Sequence, residues 1–410
     1  MSWAEYPLTV LKFGGTSVAD LDRMKHVASI VKHIRDEKKR VAVVVSAMGN
    51  TTDDLLSLAR DVSSESSGRE IDQLLATGEQ QSVALLALAL QQSDIPAQSF
   101  TARQAGIKAK GFPTEGRISS IDPSNVLKVL DEGTVAVIAG FQAITDEGDI
   151  ITLGRGGSDL SAVALAAAMN ADSCQLLKDV TGIMTGDPRV VKEPQKIKQI
   201  GFDECMEMTV QGAGVLQARS VEFAARYNVP LYVASSFVEE EGTWVMNNSV
   251  TEGLVIKSVV HDTKVAKIVL LGVPDIPGVA ARLFSNLADK GIGAAMIIQN
   301  NMRGGVNDIG FLVKKSDLEN AIQVCRELCR EIDAQGVSFD TEIARVSIVG
   351  AGIANHPEIP PKMFSILAEA GINIEMIAST ALAITCIVGS AHAEEAVRTL
   401  HKCFIEEAAC

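Results

Sequence analysis

The sequence predicts an α/β protein: a mostly parallel sheet sandwiched by helices, followed by two ferredoxin-like βαββαβ units. Three observations carry this. Short apolar runs alternate with stretches of helical periodicity from Leu8 onward. Two glycine-rich loops interrupt that alternation next to predicted helices. From about residue 262 the texture changes, and one strand–helix–strand pattern occurs twice.

The elements follow in order. Residues 8–13 form a short apolar strand. After Gly14 and Gly15, Met24, Val27, Val31 and Ile34 recur at helical spacing, with Asp20 or Asp22 placed to cap that helix. The unbroken apolar run 41–45, ending at Ser46, reads as a strand buried on both faces. Residues 71–90 form an apolar helical stretch broken at Gly78 and Glu79. A strand over 134–140 runs into Phe141 and Gln142. A glycine-rich turn over 151–159 precedes an alanine-rich helix over 160–169. Further strands are expected at 174–180 and 230–235, and a polar linker at 239–253. The repeat starts at Val265 and again at Ile343; residues 318–332 and 393–404 supply the second helix of each copy. The predicted domains are therefore 1–245, 262–335 and 343–406.

Composition narrows the function. The net charge of −14 comes from acids spread along the chain. This argues against a nucleic-acid or anionic-membrane surface, and any phosphate site must be locally basic. No apolar run is long enough to span a bilayer, and the N-terminus lacks a signal-peptide pattern, so a cytoplasmic protein is expected. The seven cysteines show no framework spacing. Cys325 and Cys329 sit one helical turn apart without a partner pair, so all seven read as reduced thiols. The six histidines, His26, His33, His261 and His356 among them, lack ligand spacing and read as surface or capping residues; no metal site is expected.

Two loops carry chemistry. Lys12 ends a buried strand and is followed by Gly14 and Gly15. Glycines let backbone N–H groups approach an anion, the next helix adds its positive end, and Lys12 adds a mobile charge. A tight turn with a snorkelling lysine explains that loop alone equally well. The second loop, Gly154-Arg155-Gly156-Gly157-Ser158-Asp159, lies directly before a helix and again describes an anion site, with Arg155 able to grip a carboxylate in two places. Two such loops in one α/β domain favour a phosphotransferase over two structural turns.

The motifs KFGGTSV (12–18), SAMGNTTDDLL (46–56), TGE (77–79), SFTARQAGI (99–107), AGFQ (139–142), TLGRGGSD (152–159), GDPRVV (186–191) and RSVEFAARYNVPL (219–231) resemble aspartate kinase, and the duplicated tail resembles that family's paired ACT domains. The resemblance implies the amino-acid-kinase fold followed by two ACT domains. It also implies ATP-dependent phosphorylation of the L-aspartate β-carboxylate, the first step toward lysine, threonine and methionine. By that pattern Lys12 stabilises the transferring phosphoryl group, while Gly14 and Gly15 donate from the backbone. Arg155 holds the substrate α-carboxylate and Glu79 its ammonium, Ser46 and Thr52 line the pocket, and Asp159 orients Lys12 or the substrate amine. Lys178, Asp179, Met184 and Arg189 belong to the nucleotide side, and Mg2+ rides largely on ATP oxygens. Asp275, Gly278, Gln299 and Asn300 match effector-side positions of the ACT pair, which implies an amino-acid effector and a homodimer or higher homo-oligomer.

The chain also departs from the family pattern. Met184 stands where an aromatic is usual, and Lys178 replaces a small hydroxyl residue. Gly214 replaces a second phosphate-directed lysine, part of whose charge Lys178 is expected to supply. Around the effector loops, Gly293, Ala294 and Ala295, and then Thr380, Ala381, Leu382 and Ala383, replace polar or charged residues. A zwitterion binds poorly without such partners, so weakened or altered feedback control is expected. Two alternatives stay open at this point: an acyl-phosphate-forming kinase for another amino acid or nucleotide, and a catalytically weak regulatory or interaction homologue.

Overall fold

The computed structural model describes residues 2–63, 68–247, 255–301 and 305–407. They form two compact units, one made of the described residues within 1–183, 196–209 and 214–251, the other of those within 184–195, 210–213 and 252–410.

The first unit begins β1 (Leu8–Phe13), α1 (Leu21–Asp36), β2 (Arg40–Val45), α2 (Thr51–Val62) and α3 (Arg69–Gln92). Next come β3 (Ala97–Phe100), β4 (Ile107–Lys110), β5 (Arg117–Ile121), α4 (Ser124–Asp131), β6 (Val135–Ala139), β7 (Gln142–Ile144), β8 (Ile150–Thr152) and α5 (Gly157–Ala168). It ends with β9 (Ser173–Lys178), β10 (Gln199–Ile200), α6 (Phe202–Gln211, whose last two residues belong to the second unit), α7 (Ala218–Tyr227), β11 (Leu231–Ser235) and β12 (Thr243–Val245).

Eight of these strands make one sheet, ordered β10-β12-β11-β9-β1-β2-β6-β3. Its pairs are parallel except β11 with β12. Every residue of β1 is buried, which is why its sequence runs apolar without alternation. Leu11, Phe13, Val43 and Val45 pack with Val27 and Val31 of α1 and with Val83 and Leu90 of α3. A smaller sheet, β5-β4-β7-β8, was not expected from the sequence. Its strands hold three to five residues, and β5 buries none, so no period could show.

Four expectations need correction. The helix over 71–90 is not broken; α3 runs unbroken from Arg69 to Gln92. A Cβ at Gly78 would stand 2.8 Å from the Cβ of Ala47, so this glycine admits a neighbouring loop rather than ending a helix. The turn over 151–159 contains part of β8 and the start of α5. The linker over 239–253 contributes β12 to the main sheet, and its residues 248–253 lie outside the described residues. Finally, α1 does not follow the glycines directly. Gly15–Val18 form a 3-10 turn, and α1 starts at Leu21, where Asp20 accepts the Arg23 N–H at 2.8 Å. Its positive end is thus answered by its own aspartate.

In the second unit β13 (Val255–Asp262) precedes β14 (Val265–Pro274), α8 (Val279–Asp289), β15 (Ala295–Asn301), β16 (Val306–Lys314), α9 (Leu318–Glu331) and β17 (Gly336–Asp340). The second copy has β18 (Ile343–Ala351), α10 (Ile359–Glu369), β19 (Met376–Ser379), β20 (Ala383–Gly389) and α11 (Ala393–His401). The sheets are β15-β16-β14-β17 and β13-β18-β20-β19, both antiparallel. The first copy is a ferredoxin-like unit made of contiguous chain. The second takes its fourth strand from β13, which lies ahead of the first copy. The sequence repeat cannot reveal this, because β13 stands outside it.

Residues 184–195 and 210–213 fold with this unit. Val191 enters the core of the second copy, and the Gln211 side chain accepts a hydrogen bond from Ser347 at 3.1 Å. His401 departs from the surface role expected of the histidines: it is fully buried, 2.8 Å from the Thr185 hydroxyl and 2.9 Å from Glu406. Burial pushes the thiols of Cys205, Cys325 and Cys386 up to about 12, which keeps them protonated and inert. Cys410 lies outside the described residues. Among the described residues no helix is long and apolar enough to cross a membrane.

Candidate active site

Lys12 is the penultimate residue of the central strand, in register with Val44 and Leu176. Burial there obliges its ammonium to find a partner. It does so in Asp159, whose Oδ1 lies 2.6 Å away in the first turn of α5. Gly156, in the left-handed conformation, precedes that helix without a side-chain cap among the described residues. The other Asp159 oxygen is 2.7 Å from Nζ of Lys178, the last residue of β9. Lys178 also donates to the Val215 carbonyl at 2.7 Å.

Burial by itself raises the Asp159 carboxyl, but the Lys12 and Lys178 ammoniums outweigh it and hold it at about 2. Burial likewise lowers Lys178, against the support of Asp159. Two ammoniums on one carboxylate leave a net positive charge inside a protein whose overall charge is −14.

The glycine loop is fixed by its neighbour. Phe13 O accepts the Ser46 N–H at 3.2 Å, and Gly15 O accepts the Gly49 N–H at 3.0 Å. A Cβ on Gly15 would stand 2.8 Å from the Ala47 carbonyl oxygen, so a side chain is excluded. A Cβ on Gly14 would stand 3.6 Å from Lys12 Nζ, in the space the ammonium faces. That is the opening a phosphate oxygen requires.

Ala47 also reaches the acceptor side. Its N–H donates to Glu79 Oε1 at 3.0 Å. The other oxygen of Glu79 is buried and has no hydrogen-bond partner among the described residues. Burial pushes this carboxyl up to about 7, against the Ala47 hydrogen bond. A buried carboxylate with one oxygen unsatisfied suits an incoming ammonium. Ser46 and Thr52 are half-buried at the two ends of the same loop, just after β2 and in the first turn of α2.

The Gly154–Arg155 loop is held by residues that the sequence reading did not single out. The Arg219 guanidinium donates to the Leu153 carbonyl at 2.8 Å and the Gly116 carbonyl at 3.0 Å. Fully buried Asp72 accepts from the Thr152 hydroxyl at 2.6 Å and the Thr114 N–H at 3.0 Å. An aspartate within an apolar helical stretch was the available signal for Asp72. Arg155 itself is exposed, and among the described residues it has no ion pair or hydrogen bond.

The structure thus brings Lys12, Gly14, Gly15, Ser46, Thr52, Glu79, Arg155, Asp159 and Lys178 into one unit, and exposed Asp179 follows β9 there. Met184 and Arg189 fold with the second unit instead, and Arg189 pairs with Asp187 of its own turn at 2.7 Å. Among the effector-side residues, Asp275 accepts from the Asn307 amide at 3.0 Å. Gly278 precedes α8 with φ +98°, and Gln299 and Asn300 are exposed on the edge strand β15. Among the described residues, no group of three His, Cys, Asp or Glu is placed to hold a metal ion.

The amino acid kinase family profile matches residues 7–235, and the ACT domain profile matches 268–328 and 346–404. An aspartokinase of Thermus thermophilus is 44% identical over 399 residues, which are 97% of this chain and 98% of that one. The crystal structure of E. coli aspartokinase III in complex with aspartate and ADP matches with a TM-score of 0.82 at 26% identity, over 96% of this chain and 99% of that one. The structure of E. coli aspartokinase III with lysine and aspartate gives a TM-score of 0.73 at 26% identity, over 97% and 99%.

Proposed function

The chain belongs to the amino acid kinase family, with the aspartokinases, and on that premise we propose that it transfers the γ-phosphoryl group of ATP to the β-carboxylate of L-aspartate. The product is 4-phospho-L-aspartate, at the head of aspartate-derived amino-acid biosynthesis. One observation carries this reading: the Ala47 peptide joins the two halves of the reaction. Its N–H holds Glu79, while its carbonyl packs on Gly15 of the phosphate loop. An ammonium-seeking carboxylate and a phosphate cradle therefore stand one peptide apart.

The chemistry follows from charge. The aspartate β-carboxylate is ionised at neutral pH and needs no general base. The barrier is the approach of an anion to a polyanion, so the protein's work is positioning and neutralisation. Glu79 takes the substrate ammonium, and exposed Arg155 takes its α-carboxylate. Gly14 and Gly15 present backbone donors. Lys12, aimed by Asp159, meets the charge that develops on the transferring group. Lys178 and Asp179 border the nucleotide side. Mg2+ arrives with ATP as part of that substrate, held mainly by phosphate oxygens.

A coupled ADP-release assay across an amino-acid panel tests the proposal. Turnover with aspartate well above every other carboxylate is expected; no turnover by a folded chain would sink it. The altered Met184, Lys178 and Gly214 positions support a second reading, that of a changed nucleotide preference, which a nucleotide panel in the same assay separates.

Feedback control is proposed to be weakened or altered. Asp275 is already engaged by Asn307, and the Thr380 hydroxyl accepts from the Ala383 N–H at 2.9 Å. Ala294, Ala295 and Ala381 offer a zwitterion nothing polar in their side chains. The ACT pair is proposed to serve also in homo-oligomerisation, with exposed Ile297 and Ile377 on the edge strands β15 and β19. Sedimentation of the full chain with and without lysine and threonine tests both points.

A further inference from the structure

We infer that Lys178 is the second arm of a two-ammonium phosphate clamp hinged on Asp159, and that it binds the nucleotide without leaving its anchors. The inference rests on the kinase reading above and adds to it a catalytic residue and the position its charge must occupy.

The argument begins with donor counting. A lysine ammonium has three N–H donors. Lys178 commits one to Asp159 Oδ2 and one to the Val215 carbonyl, both at 2.7 Å. Lys12 commits one to Asp159 Oδ1 at 2.6 Å. Each ammonium therefore keeps at least one donor for a ligand. Because a single carboxylate holds both, their separation is fixed by its two oxygens, and they suit neighbouring oxygens of one phosphate chain.

Electrostatics points the same way. One counter-charge would balance one buried lysine. A second, half-buried ammonium on the same carboxylate leaves an excess positive charge that an anion would balance. The opening at Gly14 lies beside the Lys12 ammonium, 3.6 Å from its Nζ. A purely structural lysine would be served as well by an uncharged donor.

The Val215 carbonyl marks where the second charge belongs, and it also supplies the test. Neighbouring Gly214 has no left-handed φ, and a Cβ built on it meets nothing within 4 Å. A lysine at 214 is therefore tolerated and is long enough to reach the space beside the Val215 carbonyl. If position alone matters, the charge can be moved there.

The experiment compares wild type, Lys178→Ala, Lys178→Gln and Lys178→Ala/Gly214→Lys as full chains. ADP-release kinetics are measured for ATP and aspartate separately. Calorimetry with ADP and Mg2+ in the absence of any acceptor gives nucleotide affinity. Glutamine retains donors for Asp159 and Val215 but not the charge, so it remains informative if the alanine variant fails to fold. Both single variants are expected to lose about 100-fold in kcat/KM for ATP and to bind ADP more weakly, with KM for aspartate nearly unchanged. Gly214→Lys is expected to recover about tenfold of the loss. Wild-type-like ATP kinetics and ADP affinity in Lys178→Gln would reduce Lys178 to a structural donor and overturn the inference. So would failure of a folded double variant to recover. If wild type binds ADP but phosphorylates no carboxylate, the acceptor reading fails, while the loss of ADP affinity in Lys178→Gln still upholds the clamp.

Discussion

The phosphate cradle of the first unit and the effector-side loops of the first ACT copy use similar residues in opposite ways. In the cradle, Lys12, Asp159 and Glu79 are all buried. No charge there can be left to water, so each is held within about 3 Å of a fixed partner. In the ACT copy, Asp275, Gln299 and Asn300 are exposed. Water solvates them whether or not a ligand comes, and their neighbours can turn apolar without unsettling the fold. Burial couples a site's chemistry to the stability of the domain, and exposure releases it. That contrast explains how the Lys12 and Gly154–Asp159 loops match the family pattern while the effector-side loops depart from it.

The largest expected effect is in the cradle. Lys12→Ala should lower turnover about 1,000-fold or more. Lys12 is a core residue rather than a surface one, so a melt should also show a loss of up to about 3 kcal/mol, limited because Lys178 still serves Asp159. Turnover within tenfold of wild type would mean that the cradle does not meet the transferring group.

Glu79→Gln comes next. KM for aspartate should rise about 100-fold while kcat changes little. The ammonium needs the ionised carboxylate, so wild-type KM for aspartate should also rise as pH falls through about 7. Stability moves the other way. Burial raises the folded-state pKa above the ordinary carboxylate value, so the unfolded chain ionises first and wild-type stability falls as pH rises between about 4.5 and about 7. Without aspartate at pH 8, Glu79→Gln should therefore be the more stable protein, by about 3 kcal/mol, with the gap closing toward pH 5. A gap that does not change with pH would disprove the burial argument.

Gly78→Ala probes the packing that aims Glu79. Its new methyl would stand 2.8 Å from the Ala47 methyl, so a cost of about 2 kcal/mol and a raised KM for aspartate are expected. Denaturant midpoints and kinetics report both, and a silent substitution would show that the Ala47 loop is loosely held. The smallest effect belongs to the ACT side. Calorimetry with lysine, threonine, methionine and aspartate should give no lysine or threonine site tighter than about 1 mM, and activity should stay within about twofold. Tight binding by either would erase the contrast between the two regions.

Much of this was legible in the chain itself. Alternating apolar runs gave the α/β class, and the duplicated pattern gave the two ferredoxin-like units, which the family resemblance implies are ACT domains. Both signals are local, because strand and helix periods span only a few residues. The residues that form the cradle also announced themselves, since glycine and lysine after a buried strand is a short-range pattern. The exact extent of helices was less legible. Gly78 reads as a breaker because the Ala47 methyl that explains it is 31 residues away in sequence.

The sequence alone determined which elements form and which residue types gather at their ends. Tertiary structure alone decided that Lys12 and Lys178 share Asp159, that Val215 anchors the second ammonium, and that Glu79 keeps an unpaired oxygen at a raised pKa. It also decided that β13 completes the sheet of the second ACT copy and that residues 184–195 fold with that unit. Propensity and periodicity act through neighbours in the chain. Charge sharing, burial and strand exchange depend on which distant residues the fold brings together.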